Sequence, residues 1–304
     1  MHRRTPLPQI LALGPFTLSE ARAIGVSEKR TRSSDLATPF HGVRMLVGRR
    51  PTLIDRCRAW SARMPSGQVF SHVTAALLHG MPLPRRLRDD PRLHVTYITP
   101  AARAPRSAGI AGHTADKLVH IVMIDEIAVL APVQTWCQLS TLLGIDDLIA
   151  IGDFLIGTLT PPATPDQLAS AVHAYAGQRG AKKLRAAFEM VRPRVESPRE
   201  TRLRLLIIRA GFPEPETNLA IPLRPGRRPA RGDLMYPNYK VLVEYDGEQH
   251  RTDDAQYQRD VERLADIAEA GWTIVRVLKG MTDATVLANV ESALRSRGWS
   301  GSRL

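Results

Sequence analysis

Four acids in the last third of the chain, Glu200, Asp233, Glu244 and Asp246, are of a type and spacing that can hold a divalent cation through oxygen ligands. The stretch Arg231-Gly-Asp-Leu-Met-Tyr236, the pair Pro237-Asn238, and Tyr239-Lys-Val-Leu-Val-Glu-Tyr-Asp246-Gly read as two strands around a turn. A two-residue turn would set Tyr236 against Tyr239 and Asp233 against Leu242. Pro237 fixes a negative φ, which removes the tightest turn type, and a looser turn of four residues keeps the same parity. Alternation then puts Asp233, Leu242, Glu244 and Asp246 on one face and sends Val241, Val243 and Tyr245 into the core. Diagonal neighbours in such a pair lie about 7 Å apart at the backbone and closer at their tips. Two carboxylates at that spacing can share one Mg²⁺ or Mn²⁺, which polarises a phosphoryl oxygen and supplies a hydroxide. A bulge of one residue would undo this register.

Positioning falls to the flanking elements. Ser197-Pro198-Arg199-Glu200 opens a helix running through Leu203, Leu206, Ile207 and Ala210 to Gly211, with Ser197 as N-cap. Glu200 sits where a capping box would use it, so capping alone could account for it. After the hairpin, Tyr257, Val261, Leu264 and Ala268 recur at helical spacing, and Trp272-Thr-Ile-Val-Arg-Val277 reads as a strand. Helix, hairpin, helix, strand is an α/β core with a mixed sheet.

Charge names a class of partner. The 304 residues carry 42 Lys and Arg against 30 Asp and Glu, a net charge of +12, and only six of the basic residues are lysines. Arginine forks suit phosphate, so the excess points to DNA, although a GC-rich genome also inflates Arg. Residues 177–204 hold nine basic side chains and three Glu, and Pro222-Leu-Arg-Pro-Gly-Arg227-Arg228-Pro is a basic loop. No run of eighteen apolar residues and no leader-like segment is present, and Cys57 and Cys137 have no metal or disulfide spacing. The expected setting is the cytoplasm, without a membrane.

Three blocks are expected: 1–62, 63–190 and 191–304. In the first, residues 16–32 read as helix, turn, helix: Gly25 turns, Ser27 caps, and Lys29, Arg30 and Arg32 offer a basic face to DNA. Residues 42–48 form a short strand or wing. The middle block reads as α/β, with strands near 93–98, 120–124 and 127–130 and helix over much of 132–156. Its histidines, His72, His79, His94, His113 and His120, lack the close spacing of a helical zinc site and are expected to be ordinary core or surface residues.

The motifs Arg231-Gly-Asp, Val-Glu-Tyr-Asp-Gly-Glu-Gln-His, Arg259-Asp260 and Gly271-Trp-Thr-Ile-Val-Arg-Val resemble a nuclease-like family allied to the very-short-patch repair endonucleases of the PD-(D/E)XK superfamily. The resemblance covers residues 196–297. It implies a restriction-endonuclease-like core acting on DNA, with Glu200 as first-helix acid, Asp233 as central ligand and Glu244 as second ligand. The superfamily's usual lysine falls at Asp246 here, so Asp246 becomes a third metal candidate, and His250 or Gln249 a candidate to position water. The first 160 residues resemble, more loosely, winged-helix regulators of the abortive-infection antitoxin type, through Phe16-Thr-Leu-Ser-Glu-Ala-Arg and Ser71-His-Val-Thr-Ala-Ala-Leu-Leu-His-Gly. Two functions follow as expectations: a Mg²⁺-dependent DNA endonuclease of defence or repair, or a DNA-binding regulator whose nuclease core is inactive. A homodimer or a toxin–antitoxin-type protein partner fits either.

Overall fold

A computed structural model describes residues 5–48, 51–98, 103–115, 119–157, 160–246 and 254–301, with side chains from 258 in the last span. The protein is α/β, and it divides into two compact units, Met1–Leu142 and Leu143–Leu304. No helix among the described residues is long and apolar enough to cross a membrane.

The N-terminal unit opens with α1 (Gln9–Ala12), β1 (Phe16–Thr17), α2 (Leu18–Ala23), α3 (Glu28–Thr31), β2 (Leu36–Ala37), β3 (Val43–Leu46) and α4 (Leu53–Ser61). Thr17 and Thr52 each form a full capping box, with Glu20 and Asp55, which fixes where α2 and α4 begin. Then come β4 (Gln68–Phe70), α5 (His72–Leu78), α6 (Arg85–Arg88), β5 (Leu93–Tyr97), β6 (Ile110–Thr114), β7 (Ile121–Ile124), β8 (Ile127–Leu130) and α7 (Pro132–Leu139). Strands β1, β3 and β2 make a small sheet, and a mixed sheet runs β6-β5-β4-β8-β7. The two are not independent. Phe40, Val43, Cys57 and Trp60 share one apolar cluster with Phe70, Leu93, Val95 and Val129, so 1–62 and 63–142 pack as one body.

The C-terminal unit comprises α8 (Ile145–Gly157), α9 (Pro165–Ala174), α10 (Ala181–Glu189), α11 (Pro198–Arg209), β9 (Glu216–Ile221), β10 (Ala230–Tyr236), β11 (Val241–Asp246), α12 (Asp254–Glu269), β12 (Thr273–Leu278) and α13 (Asp283–Ser296). Its sheet runs β12-β11-β10-β9, antiparallel except for the parallel β11–β12 pair, the mixed sheet the element order implies. Leu203, Ile207, Val241, Val243, Val290 and Leu294 form a core on one face of the sheet. Ile221, Met235, Leu242 and Ile267 form one on the other. Burial on both faces explains the unbroken Val-Leu-Val run at the start of β11, which is a central strand rather than a solvated edge. The compact division falls after Leu142, not near 62 and 190. Helix α8 falls in the C-terminal unit, where its Asp153 is fully buried against Arg204 of α11, 2.8 Å away.

Candidate acidic site

The hairpin that carries Asp233 and Glu244 turns through a 3₁₀ segment, Pro237–Tyr239, and Lys240 in the left-handed region (φ 50°). Four residues therefore separate Tyr236 from Val241, and the pairs are Tyr236↔Val241, Met235↔Leu242 and Leu234↔Val243. This is the looser turn; the two-residue pairing of Asp233 with Leu242 is not formed.

The ladder then changes character. Beyond Leu234↔Val243, the Tyr245 N–H donates to Asp233 Oδ2 at 2.9 Å. A side-chain carboxylate here takes a main-chain donor. Ala230 and Met235 lie in the same apolar cluster although five positions separate them, so alternation breaks once between them. On β9, Asn218 lies between the paired residues Thr217 and Leu219 and has a φ of 46°, uncommon for a non-glycine residue. The expected single-face row of Asp233, Leu242, Glu244 and Asp246 is thus corrected by an irregularity at Asn218 and Asp233, which re-aims the central carboxylate.

That re-aiming leaves Asp233 within electrostatic reach of Glu200 and Glu244. Glu200 enters from the first turn of α11. Ser197 Oγ accepts the Glu200 N–H at 3.2 Å, as an N-cap should, but the Glu200 carboxylate accepts from the Glu196 N–H (3.0 Å) and from Asn218 Nδ2 (2.8 Å). Its tie to the Asn218 irregularity is more than capping requires. Glu200 and Glu244 are both buried. Burial, and then the charges of Glu200 and Glu244, push the Asp233 carboxyl up to about 7, against the opposing Tyr245 hydrogen bond and Arg263 charge. Glu200 is raised too, mainly by burial.

Arg263 of α12 grips Glu244 with both nitrogens, at 2.8 and 3.0 Å, and also donates to the Arg231 carbonyl. This contact corrects the reading of α12. Val261 is exposed, and the side facing the sheet carries Arg263, Asp266 and Ile267 instead. A buried carboxylate on β11 requires a cation opposite it. Asp246, at the end of β11, ion-pairs with Arg276 of β12. His250 lies outside the described residues.

The N-terminal basic residues differ in what they offer. Lys29 is exposed, and Arg32 is an exposed partner of Glu28. Arg30 is buried: it holds Asp35 through two bonds of 2.9 and 2.8 Å and donates to the Thr5 carbonyl at 2.6 Å. We expect Arg30→Ala to cost about 2 kcal/mol in chemical denaturation, and Lys29→Ala under about 0.5. Equal small losses would mean that Arg30 faces solvent. In the 222–229 loop, Arg227 pairs with Asp266 at 3.2 Å, while Arg228 is exposed and ion-pairs with no described residue.

Two proteins of Mycobacterium tuberculosis are similar to this chain, the uncharacterized protein Rv2248 of strain H37Rv and the uncharacterized protein MT2308 of strain CDC 1551. Each is 24% identical over 249 residues, which is 82% of this chain and 88% of the relative. A match of that length exceeds either compact unit, so it takes in residues of both. No protein-family profile and no solved structure matches.

One cluster was not expected. Among the described residues, one group of three or more His, Cys, Asp or Glu side chains brings its ligand atoms within 4.8 Å of one another, and it is His72, His94 and His113. The acidic trio is more open. Sequence spacing hides the histidines because they come from α5, β5 and β6. The available signal was strand parity: in the parallel β5–β6 register His94 faces Ala111 and Thr96 faces His113, so His94 and His113 share a face.

Proposed function

We propose that the C-terminal unit hydrolyses phosphodiester bonds in DNA with the help of a divalent cation, Mg²⁺ or Mn²⁺. The observation that carries this reading is the Asp233 carboxyl, raised to about 7 by burial first and then by the charges of Glu200 and Glu244. Buried like charges of this kind are the electrostatic signature of a cation site. The donor set fits: all-oxygen, anionic, and fixed by Asn218 and the Tyr245 N–H. Asp233 would be the central ligand, flanked by Glu200 and Glu244. Each ionised carboxylate has about four lone-pair sites, so Glu244 can ligate while still accepting from Arg263. When bound, the ion supplies Lewis acidity and lowers the pKa of a bound water.

The remaining roles fall to the chain's own side chains. Arg263, 35% exposed at its side chain, can move one fork from Glu244 to a phosphate oxygen. Arg199, stacked 5.0 Å over the Tyr245 ring, and Arg231, paired with Glu196, place further positive charge next to these elements. Asp246, which pairs with Arg276, is a further candidate ligand that this scheme does not require.

A regulator with an inactive core is favoured by one observation: both Glu244 oxygens are occupied by Arg263 where the superfamily pattern would add a lysine nearby. Incubation of the full chain with supercoiled plasmid separates the two. We expect nicking or linearisation that needs Mg²⁺ or Mn²⁺ and falls at least about 100-fold in Glu200→Gln. Absence of cleavage with either ion, together with operator binding that survives chelation, would select the regulator.

A further inference from the structure

We propose that His72, His94 and His113 of the N-terminal unit form a binding site for a borderline transition-metal dication, with Zn²⁺ as the test ion. The site is separate from the acidic centre, and its argument does not depend on nuclease activity.

The three side chains come from the start of α5 and from adjacent strands, and one nitrogen from each can be chosen so that all lie within 4.8 Å. His94 Nδ1 and His113 Nε2 are 3.0 Å apart. Tetrahedral zinc with Zn–N bonds of about 2.0–2.1 Å sets neighbouring nitrogens roughly 3.3 Å apart, so this pair already spans one edge of a coordination tetrahedron. The His72 ring lies 3.7 Å from that of His113, and its Nδ1 meets Ser71 Oγ at 3.0 Å. With Nδ1–H given to Ser71, His72 Nε2 keeps a lone pair for an ion. Binding would exchange the His94–His113 hydrogen bond for two metal–nitrogen bonds and turn His72 out of its stack.

Three further observations favour a ligand here. His94 is 4% exposed, and its Nε2 is buried with no hydrogen-bond partner. An orphaned buried nitrogen is costly and is retained where it has a use. The carboxylate of Asp90 stands 3.7 Å from that Nε2, too long for a hydrogen bond. Ligation through Nδ1 would make His94 Nε2 an N–H donor aimed at Asp90, the carboxylate–histidine–metal relay that orients metal-bound imidazoles. Finally, His72 has a φ of 46°, a strained value for a non-glycine residue, and it holds the imidazole beside the other two.

The electrostatics suit a cation that binds neutral imidazole. Burial depresses all three histidines below their ordinary value, His113 to about 4, so each has a lone pair at neutral pH. The opposing charge is Arg92, and Asp90 holds it at 2.8 Å. Three imidazoles leave a fourth tetrahedral position open. Nitrogen ligands and a buried setting disfavour Mg²⁺, which demands oxygen and keeps its waters.

The test uses the full chain without a polyhistidine tag, stripped with EDTA and dialysed. Titration against a chromophoric chelator should show one Zn²⁺ bound per chain. Co²⁺ should give the intense visible bands of four-coordinate geometry. His113→Asn should abolish stoichiometric binding, Asp90→Asn should weaken it about 10–100-fold, and Asp233→Asn should leave it unchanged. No stoichiometric Zn²⁺ in the wild-type chain, or an equivalent lost in Asp233→Asn but kept in His113→Asn, would overturn the assignment. If His113→Asn fails to fold, the wild-type Co²⁺ spectrum decides: weak six-coordinate bands reject the site, and four-coordinate bands support it.

Discussion

Asp233→Asn should make the metal-free protein more stable at pH 8 while destroying its response to Mg²⁺. In the fold this carboxyl is raised from an ordinary 3.8 to about 7, by burial first and then by Glu200 and Glu244. At pH 3 the group is protonated in both folded and unfolded chains and contributes no difference. As pH rises from about 4 to 7, the unfolded chain releases the proton and the folded chain keeps it. Stability therefore falls across that window, and the full penalty is present at pH 8. A thousandfold change in acidity converts to roughly 4 kcal/mol, and water that reaches the half-buried side chain screens part of it, so we expect a gain of about 2 kcal/mol. Asparagine keeps an acceptor for the Tyr245 N–H, so the local ladder survives the exchange. Denaturation in EDTA at pH 8 and at pH 4 checks the sign: the gain should be present at the first and vanish at the second. With Mg²⁺ the wild-type chain should gain stability by mass action and the variant should not. Plasmid cleavage should fall about 10³-fold, which is roughly 4 kcal/mol of transition-state stabilisation. A variant that is less stable at pH 8 than wild type would mean that the Asp233 charge is welcome in the fold, and the like-charge argument for a cation would fail with it.

Much of the acidic site can be read from the residues themselves. The Pro237-Asn238 turn and the period-two rows around it suffice to place Asp233 and Glu244 near one another, whereas Glu200 reads as a helix cap and becomes a first-helix acid only through the family resemblance. What could not be read is local and physical. Asn218 looks like any strand residue in sequence, and its positive φ is set by tertiary contacts with Arg194 and Glu200. The α12 stripe was misassigned because apolar spacing was weighed without the buried Glu244, whose demand for a cation turns Arg263 toward the sheet. The histidine cluster needs β5 and β6 side by side, a pairing that no short-range pattern encodes. Helix α8 belongs with the C-terminal unit, where Asp153 meets Arg204 and the first-turn Asp146 and Asp147 pair with Arg209 and Arg202; Asp153 reads as a solvated side chain until its partner is known.

Asp153→Ala should be among the most damaging single changes in the C-terminal unit, costing about 3–5 kcal/mol. Both Asp153 and Arg204 are fully buried. The carboxylate accepts from Arg204 at 2.8 Å, the Thr201 hydroxyl at 2.8 Å and the Arg192 N–H at 2.7 Å. Burial raises the Asp153 carboxyl despite these donors, so desolvation outweighs what they return. Removing the acid leaves a guanidinium that cannot shed its charge, with Nε already lacking a partner. Arg204→Met should cost less, and least at low pH, because the stranded acid can take up a proton where the arginine could not lose one. The pair Asp153→Asn with Arg204→Met should recover most of the loss: the asparagine Oδ1 still accepts from the Arg192 N–H, its Nδ2 can donate to the Thr201 hydroxyl oxygen, and no charge remains buried at the pair. Urea denaturation of Asp153→Asn, Arg204→Met, their double variant and the wild type closes a double-mutant cycle. A cost below about 1 kcal/mol for Asp153→Ala would mean that water reaches the pair, and α8 would then be tied electrostatically to α11 only through the first-turn pairs of Asp146 with Arg209 and Asp147 with Arg202. A strong positive coupling would make this ion pair a device that fixes how α11 docks, and so where its first turn presents Glu200.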